Sequence, residues 1–209
     1  MPTLSTLLVF MAAALALNVT PGPDMLYVIA RSTGEGRRAG IVSALGIATG
    51  TLVHITLVAI GLASVLRTVP LAFAVVKYTG AAYLVYLGVR ALVGRGDAEQ
   101  TMSLPPARLV VLYRQGIITN VLNPKVALFF LALLPQFVDP ARGPVVEQIV
   151  LLGMLFNTSG TLVNCAVAAG AGALSGWARE RTRGVTVLRR ATGMLFIGIG
   201  ARLAFAKAR

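Results

Sequence analysis

Six long apolar runs, separated by short polar or basic stretches, organise the chain: roughly Leu4 to Ala30, Ala39 to Leu66, Pro70 to Val93, Gln115 to Val138, Val145 to Leu174 and Val185 to Ala206. Each approaches or exceeds the ~20 residues a helix needs to cross ~30 Å of hydrocarbon. In lipid a segment must satisfy its own backbone hydrogen bonds, and a helix does so within one stretch of chain. The pattern therefore predicts an all-α integral membrane protein with six transmembrane helices.

Two of the runs carry an interruption. The first contains Asn18-Val19-Thr20-Pro21-Gly22-Pro23-Asp24 and the fourth contains Asn120-Val121-Leu122-Asn123-Pro124-Lys125. Proline lacks the N–H that would bond the carbonyl four residues earlier, and its ring clashes with that carbonyl. The first and fourth helices are thus expected to be broken, each with Asn-Val ahead of the break and a charge directly after its last proline. Broken helices at matching positions of two halves point to a transporter's binding site.

The alternative for the first run is a secretory signal peptide, because Ala14-Leu15-Ala16 resembles a small-residue cleavage site. No Lys or Arg precedes Leu4, and the apolar pattern resumes through Met25, Leu26, Tyr27, Val28 and Ile29, so one spanning helix with a central break is expected. Residues 94–113, with a charged segment and Pro105-Pro106, form the expected linker between repeat one (1–93) and repeat two (114–209). Three helices per half force the second half through the bilayer in the opposite sense, which predicts a 3+3 inverted-topology repeat.

Composition agrees with the pattern: 209 residues are 56% hydrophobic and only 12% charged, with mean hydropathy +0.80. The net charge of +12 is explained by topology rather than by nucleic acid. Twelve Lys and Arg, among them Arg31, Arg37, Arg38, Arg108 and Arg114, flank one side of the six runs, and six flank the other. The positive-inside rule puts the richer side in the cytoplasm and both termini outside, with the basic residues near lipid headgroups.

Cys165 is the only cysteine, which excludes an intramolecular disulfide or a Cys-x-x-Cys relay. His54 is the only histidine and has no acidic ligand in its helix, so no metal or other cofactor is expected and a packing or hydrogen-bonding role is. The Asn-x-Ser/Thr sites at Asn18 and Asn157 lie inside apolar runs, where no glycan could be placed. Gly46-x-x-x-Gly50 lets helices approach closely, within the chain or toward a second protomer. An intramembrane enzyme would need a nucleophile or metal with an activating base, and a lone histidine and a single buried carboxylate do not supply one. A non-transporting assembly protein would gain nothing from unwinding two helices at midplane.

The candidate site follows from depth and charge. At 1.5 Å per residue, Asp24 lies roughly 10 Å from Arg31, taken as the cytoplasmic end, and Lys125 roughly 16 Å from Arg114. An uncompensated charge at that depth costs at least ~2.5–3.5 kcal/mol, so Asp24 and Lys125 are expected to pair. Such a pair either locks the halves together or binds cargo. The ammonium and carboxylate of an amino acid match Asp24 with exposed carbonyls and Lys125 with a half-helix N-terminus, and Asp24 is a candidate carrier of a coupling proton. The substrate and coupling candidates are Asp24, Lys125, Asn18, Pro21, Gly22, Pro23, Asn120, Asn123 and Pro124. Asn157, Thr161 and Asn164 share a face of the fifth run at i, i+4 and i+7, and serve either interhelical bonding or the substrate path. Tyr27, Tyr83 and Phe129 are expected to pack rather than to cage a substrate.

At these residues the chain resembles the lysine exporter family of translocators, in particular its homoserine and threonine exporter branch. The resemblance is carried by Asn18 to Pro23, Gly36-x-x-x-Gly40, Gly80-Ala81-Ala82-Tyr83-Leu84-x-Tyr86-Leu87-Gly88, Arg114-Gln115-Gly116 through Asn120-x-x-Asn123-Pro124-Lys125, and Phe137-Val138. It implies export of amino acids or their derivatives across a bacterial inner membrane, driven by the proton gradient or membrane potential, and is compatible with a homodimer. A basic cargo is held less easily beside Lys125, so a neutral one is favoured over a basic amino acid or another small metabolite.

Overall fold

The computed structural model describes residues 1–68 and 106–180, without the side chains at 62–68 and 171–180, and scattered positions from 78 to 93 and from 190 to 201. The third and sixth apolar runs, and Tyr83, fall largely outside the described residues.

All regular structure among the described residues is helical. In chain order it comprises α1 (Leu4–Val19), α2 (Pro23–Glu35), α3 (Arg37–Thr68), α4 (Leu109–Val121), α5 (Pro124–Leu128), a π turn (Phe129–Leu133), two 3-10 turns (Leu134–Phe137 and Pro140–Arg142) and α6 (Val145–Glu180). Neither α3 nor α6 contains a proline, and both run unbroken. Arg37–Gly61 and Val145–Gly170 are each long and apolar enough to cross a bilayer. The remaining two predicted spans are broken where the prolines stand: α1 and α2 meet at 47°, and α4 and the segment 124–137 meet at 46°.

Boundaries differ from the apolar runs in an instructive way. α4 starts at Leu109, inside the expected linker, because Leu109-Val110-Val111-Leu112 is apolar and nothing after Pro106 stops a helix. α2 continues past Ala30 to Glu35 and stops at Gly36, whose φ of 90° suits glycine and permits a one-residue turn into α3.

Helix α3 packs against α2, α4 and α6. Its contact with α4 runs nearly backbone to backbone. A Cβ on Gly46 would meet the carbonyl oxygen of Tyr113 at 2.1 Å, one on Gly50 would meet Ile117 O at 2.8 Å, and one on Gly116 would meet Ser43 O at 2.5 Å. Gly46 and Gly50 are therefore used inside the chain, as small residues are in membrane helix pairs, and not at a protomer interface.

The two ends of the bundle are closed by different materials. At the end where α1 and α6 begin, Phe10, Phe129, Phe130, Phe137 and Phe156 form a cluster with ring centroids 4.5 to 5.9 Å apart, the spacing of attractive edge and offset contacts. Phe129 is thus a packing residue, as expected. At the other end the closure is polar. Arg31 bonds Glu35 and, at 2.7 Å, Gln115 Oε1; Glu35 accepts from the N–H of Ala107 at 2.8 Å; and the Tyr27 hydroxyl donates to Leu112 O at 2.9 Å. Arg31, counted from sequence among the basic residues near the helix ends, stands one turn before the end of α2 and is only 3% exposed. Glu35, one turn later, and Gln115 on the neighbouring helix supply the acceptors that let a guanidinium stay inside.

Candidate functional site

Between these ends, the two breaks cross. Pro21 leaves the carbonyl of Leu17, four residues earlier, without its helical donor, and the chain then runs extended through Thr20 and Gly22. The ammonium of Lys125 takes up the slack, donating to Leu17 O at 2.7 Å and Thr20 O at 2.6 Å. Gly22 makes room for this reach, since a Cβ there would stand 3.2 Å from Lys125 Cδ and 3.3 Å from Nζ. Its φ of −162° is ordinary extended backbone, so the need for glycine here is purely one of space.

The second break is built on the same rule with other partners. Pro124 frees the carbonyl of Asn120, also four residues earlier. It accepts from the Asn123 N–H at 3.0 Å and contacts His54 Nε2 at 3.1 Å, while Asn123 Oδ1 caps α5 by accepting from the Lys125 N–H at 3.0 Å. The Asn120 side chain does further work: Oδ1 accepts from Thr51 at 3.3 Å and Nδ2 donates to Asp24 Oδ2 at 2.7 Å. His54, stacked on Phe130 at 5.8 Å, is a hydrogen-bonding residue, as the sequence suggested.

The expected direct pair between Asp24 and Lys125 does not form. The two charges act on each other through space, but Asp24 is bonded by Asn120 and Lys125 by carbonyls. The reason lies in the helix dipoles. Lys125 occupies the second position of α5, where the positive end of a dipole repels an ammonium, and it turns toward the negative C-terminal end of α1. Asp24, at the second position of α2, sits at a favourable dipole end and needs less compensation. Each charge thus reaches across to the terminus of the other broken helix.

This arrangement leaves capacity unspent. Asp24 Oδ1 is buried and accepts no hydrogen bond. An ammonium has three donors, and Lys125 Nζ uses two on backbone carbonyls. Two small cavities of about 30 Å³ each adjoin these atoms, each with room for one or two water molecules. The first is bordered by Lys125, Gly22, Thr20 and Asn123, the second by Thr51, Asn120, Asn157 and Thr161, and both by Asp24, Asn18 and Asn164. The predicted site residues therefore converge, apart from Pro21, Pro23 and Pro124, which shape the backbone but do not line the space.

The polar face of α6 is divided. Thr161 donates back to Asn157 O at 2.8 Å within its own helix, and interhelical bonding falls instead to Ser159, which receives Asn18 Nδ2 at 3.0 Å. Sequence inspection missed Ser159, Thr51 and the donor role of His54. For Thr51 and His54 a signal existed, since they stand three residues apart on one face of α3, one turn beyond Gly46 and Gly50.

With the geometry in place, comparison with known proteins is decisive. The LysE type translocator family model matches residues 15–207. The chain belongs to that family. It is 31% identical to an uncharacterized membrane protein of Vibrio cholerae, over 96% of this chain and 97% of that one. It is 31% identical to a homoserine/homoserine lactone efflux protein of Salmonella typhimurium, over 95% of each. An uncharacterized membrane protein of Pseudomonas aeruginosa is 35% identical over 89% of this chain and 88% of its own length. No solved structure matches.

Proposed function

We propose that this LysE type translocator is a secondary active exporter of a small, neutral amino acid or derivative across the bacterial inner membrane, driven by the proton gradient or membrane potential. One observation carries the proposal: an unpartnered carboxylate oxygen on Asp24 and an ammonium on Lys125 border one cavity without neutralising each other. A zwitterion supplies an ammonium for the first and a carboxylate for the second. The Salmonella relative, described as a homoserine/homoserine lactone efflux protein, supports a neutral cargo of that size.

The cavities are too small for an amino acid as they stand, so loading requires the broken half-helices to part. Matching bends of 47° and 46°, with a charge at the second position of each following half-helix, support an inverted repeat in which the broken helices rock about the crossing against the tightly packed α3–α4 pair, with both termini on the outer face. In this scheme the polar closure around Arg31 and Gln115 opens toward the cytoplasm and the phenylalanine cluster opens outward, in alternation. A cargo carboxylate on Lys125 competes with the carbonyls of Leu17 and Thr20, which ties loading to the geometry of the first break.

The test is a growth screen of cells overexpressing the protein against toxic amino acids and analogues, followed by uptake into inverted vesicles. Resistance to homoserine or other neutral compounds, with energy-dependent vesicle uptake, is the expected result. Lysine uptake faster than that of neutral amino acids would favour the basic-cargo alternative and overturn the assignment.

A further inference from the structure

We propose that the cavity on the Thr51 side of Asp24 receives the cargo's side chain, and that Asn164, with Asn157 beside it, selects that side chain by hydrogen bonding. The inference rests on the amino-acid export proposed above and goes beyond it by dividing the site into a charge-binding half and a selecting half.

An α-amino acid carries its ammonium, its carboxylate and its side chain on one carbon, so fixing the first two directions fixes the third. The carboxylate belongs beside Lys125 in the first cavity and the ammonium beside Asp24, which borders both. The direction left over leads into the second cavity, away from Lys125. Apart from Asp24, its lining contains no ionisable side chain.

The polar groups there are of an unusual kind. Asn164 is only 8% exposed, and its amide makes no hydrogen bond with any described residue, although it borders both cavities. An amide offers two donors and an acceptor oxygen, and a mostly buried residue whose unbonded amide borders a cavity has hydrogen-bonding capacity left for a ligand atom. Asn157 borders the same cavity with an amide that is likewise unpaired among the described residues. By contrast, the hydroxyl protons of Thr51 and Thr161 are already given to neighbours. Phe156 provides the apolar wall, against which the methylene groups of a short side chain would lie.

A site that hydrogen-bonds a substrate hydroxyl rejects an isostere lacking it far more strongly than an apolar pocket distinguishes one methylene. The experiment exploits that with homoserine and norvaline, in which a methyl group replaces the hydroxyl. Uptake of each is measured in inverted vesicles containing the wild-type protein, Asn164→Leu or Asn157→Leu, normalised to inserted protein. The wild type is expected to favour homoserine. Asn164→Leu is expected to lower the homoserine-to-norvaline ratio of kcat/KM by about tenfold or more, and Asn157→Leu to lower it by a smaller factor. An unchanged ratio in both variants, or equal loss of both substrates in both, overturns the selecting role while leaving export intact. If the wild type carries neither compound, the hydroxyl-selecting role falls, and the growth screen described above decides separately whether export of other neutral amino acids stands.

Discussion

The two breaks obey one rule and are held by different chemistry. In each, a proline strips a carbonyl four residues upstream of its donor, at Leu17 in the first and at Asn120 in the second. The first keeps a local N–H, from Thr20 at 3.2 Å, and adds at 2.7 Å a long, charged side chain arriving from the other half of the chain. The second is restored by a local N–H and by an imidazole fixed on the straight helix α3. In the proposed site a cargo carboxylate competes for the Lys125 ammonium but has no claim on His54. On that proposal the first break is the one a ligand can loosen, and the second is the fixed reference against which it moves.

The sharpest way to break this contrast is Lys125→Met. It removes the proposed carboxylate site and takes from Leu17 O and Thr20 O a charged donor each, worth about 1.5–3 kcal/mol per hydrogen bond, leaving Leu17 O only the Thr20 N–H at 3.2 Å. Efflux should vanish and the detergent-solubilised protein should lose thermal stability together. Retention of stability would show that the first break does not depend on this cap.

Asp24→Asn should separate the two properties. The substituted amide oxygen still accepts from Asn120, so the melting temperature is expected to hold while efflux is abolished. Transport by this variant at the wild-type rate would reduce Asp24 to an architectural role.

His54→Phe probes the fixed break. Asn123 N–H continues to serve the Asn120 carbonyl, so a loss of about 1 kcal/mol in stability is expected, with transport reduced by less than about tenfold. A complete loss of transport with normal stability would mean that the imidazole takes part in the transport cycle itself.

Gly22→Ala is the mildest test. The added methyl crowds a flexible lysine stem at 3.2 Å without straining the backbone. A several-fold rise in KM at little changed stability is the expected outcome, readable from vesicle uptake curves.

Much of this was legible in the sequence because proline acts locally. Pro21, Pro23 and Pro124 announce the breaks, and Asp24 and Lys125 announce buried charge, whatever surrounds them. The partners were not legible, because they are set by how the helices cross. Desolvation argued for a direct bond between Asp24 and Lys125, yet dipole ends and freed carbonyls offered Lys125 nearer compensation. The partners of Arg31 were hidden for a related reason, since only the fold brings Gln115 beside it. Thr51 and His54 share a face of an apolar run, which marks them as a pair, but their partner, the carbonyl and amide of Asn120 opposite, is set only by the fold.

The glycine contacts between α3 and α4 have one more implication. Where Gly46, Gly50 and Gly116 leave no room for even a methyl group, the two helices cannot slide or roll past one another without collision. They form a keel that travels as one piece, carrying Thr51, His54 and Asn120 in constant register. Sliding must then occur along the surfaces that α1, α2 and α6 present to that keel, where even the tight seats at Gly40, against Ser32 and Ala168, and at Gly153, against Ile55, face side chains rather than backbone.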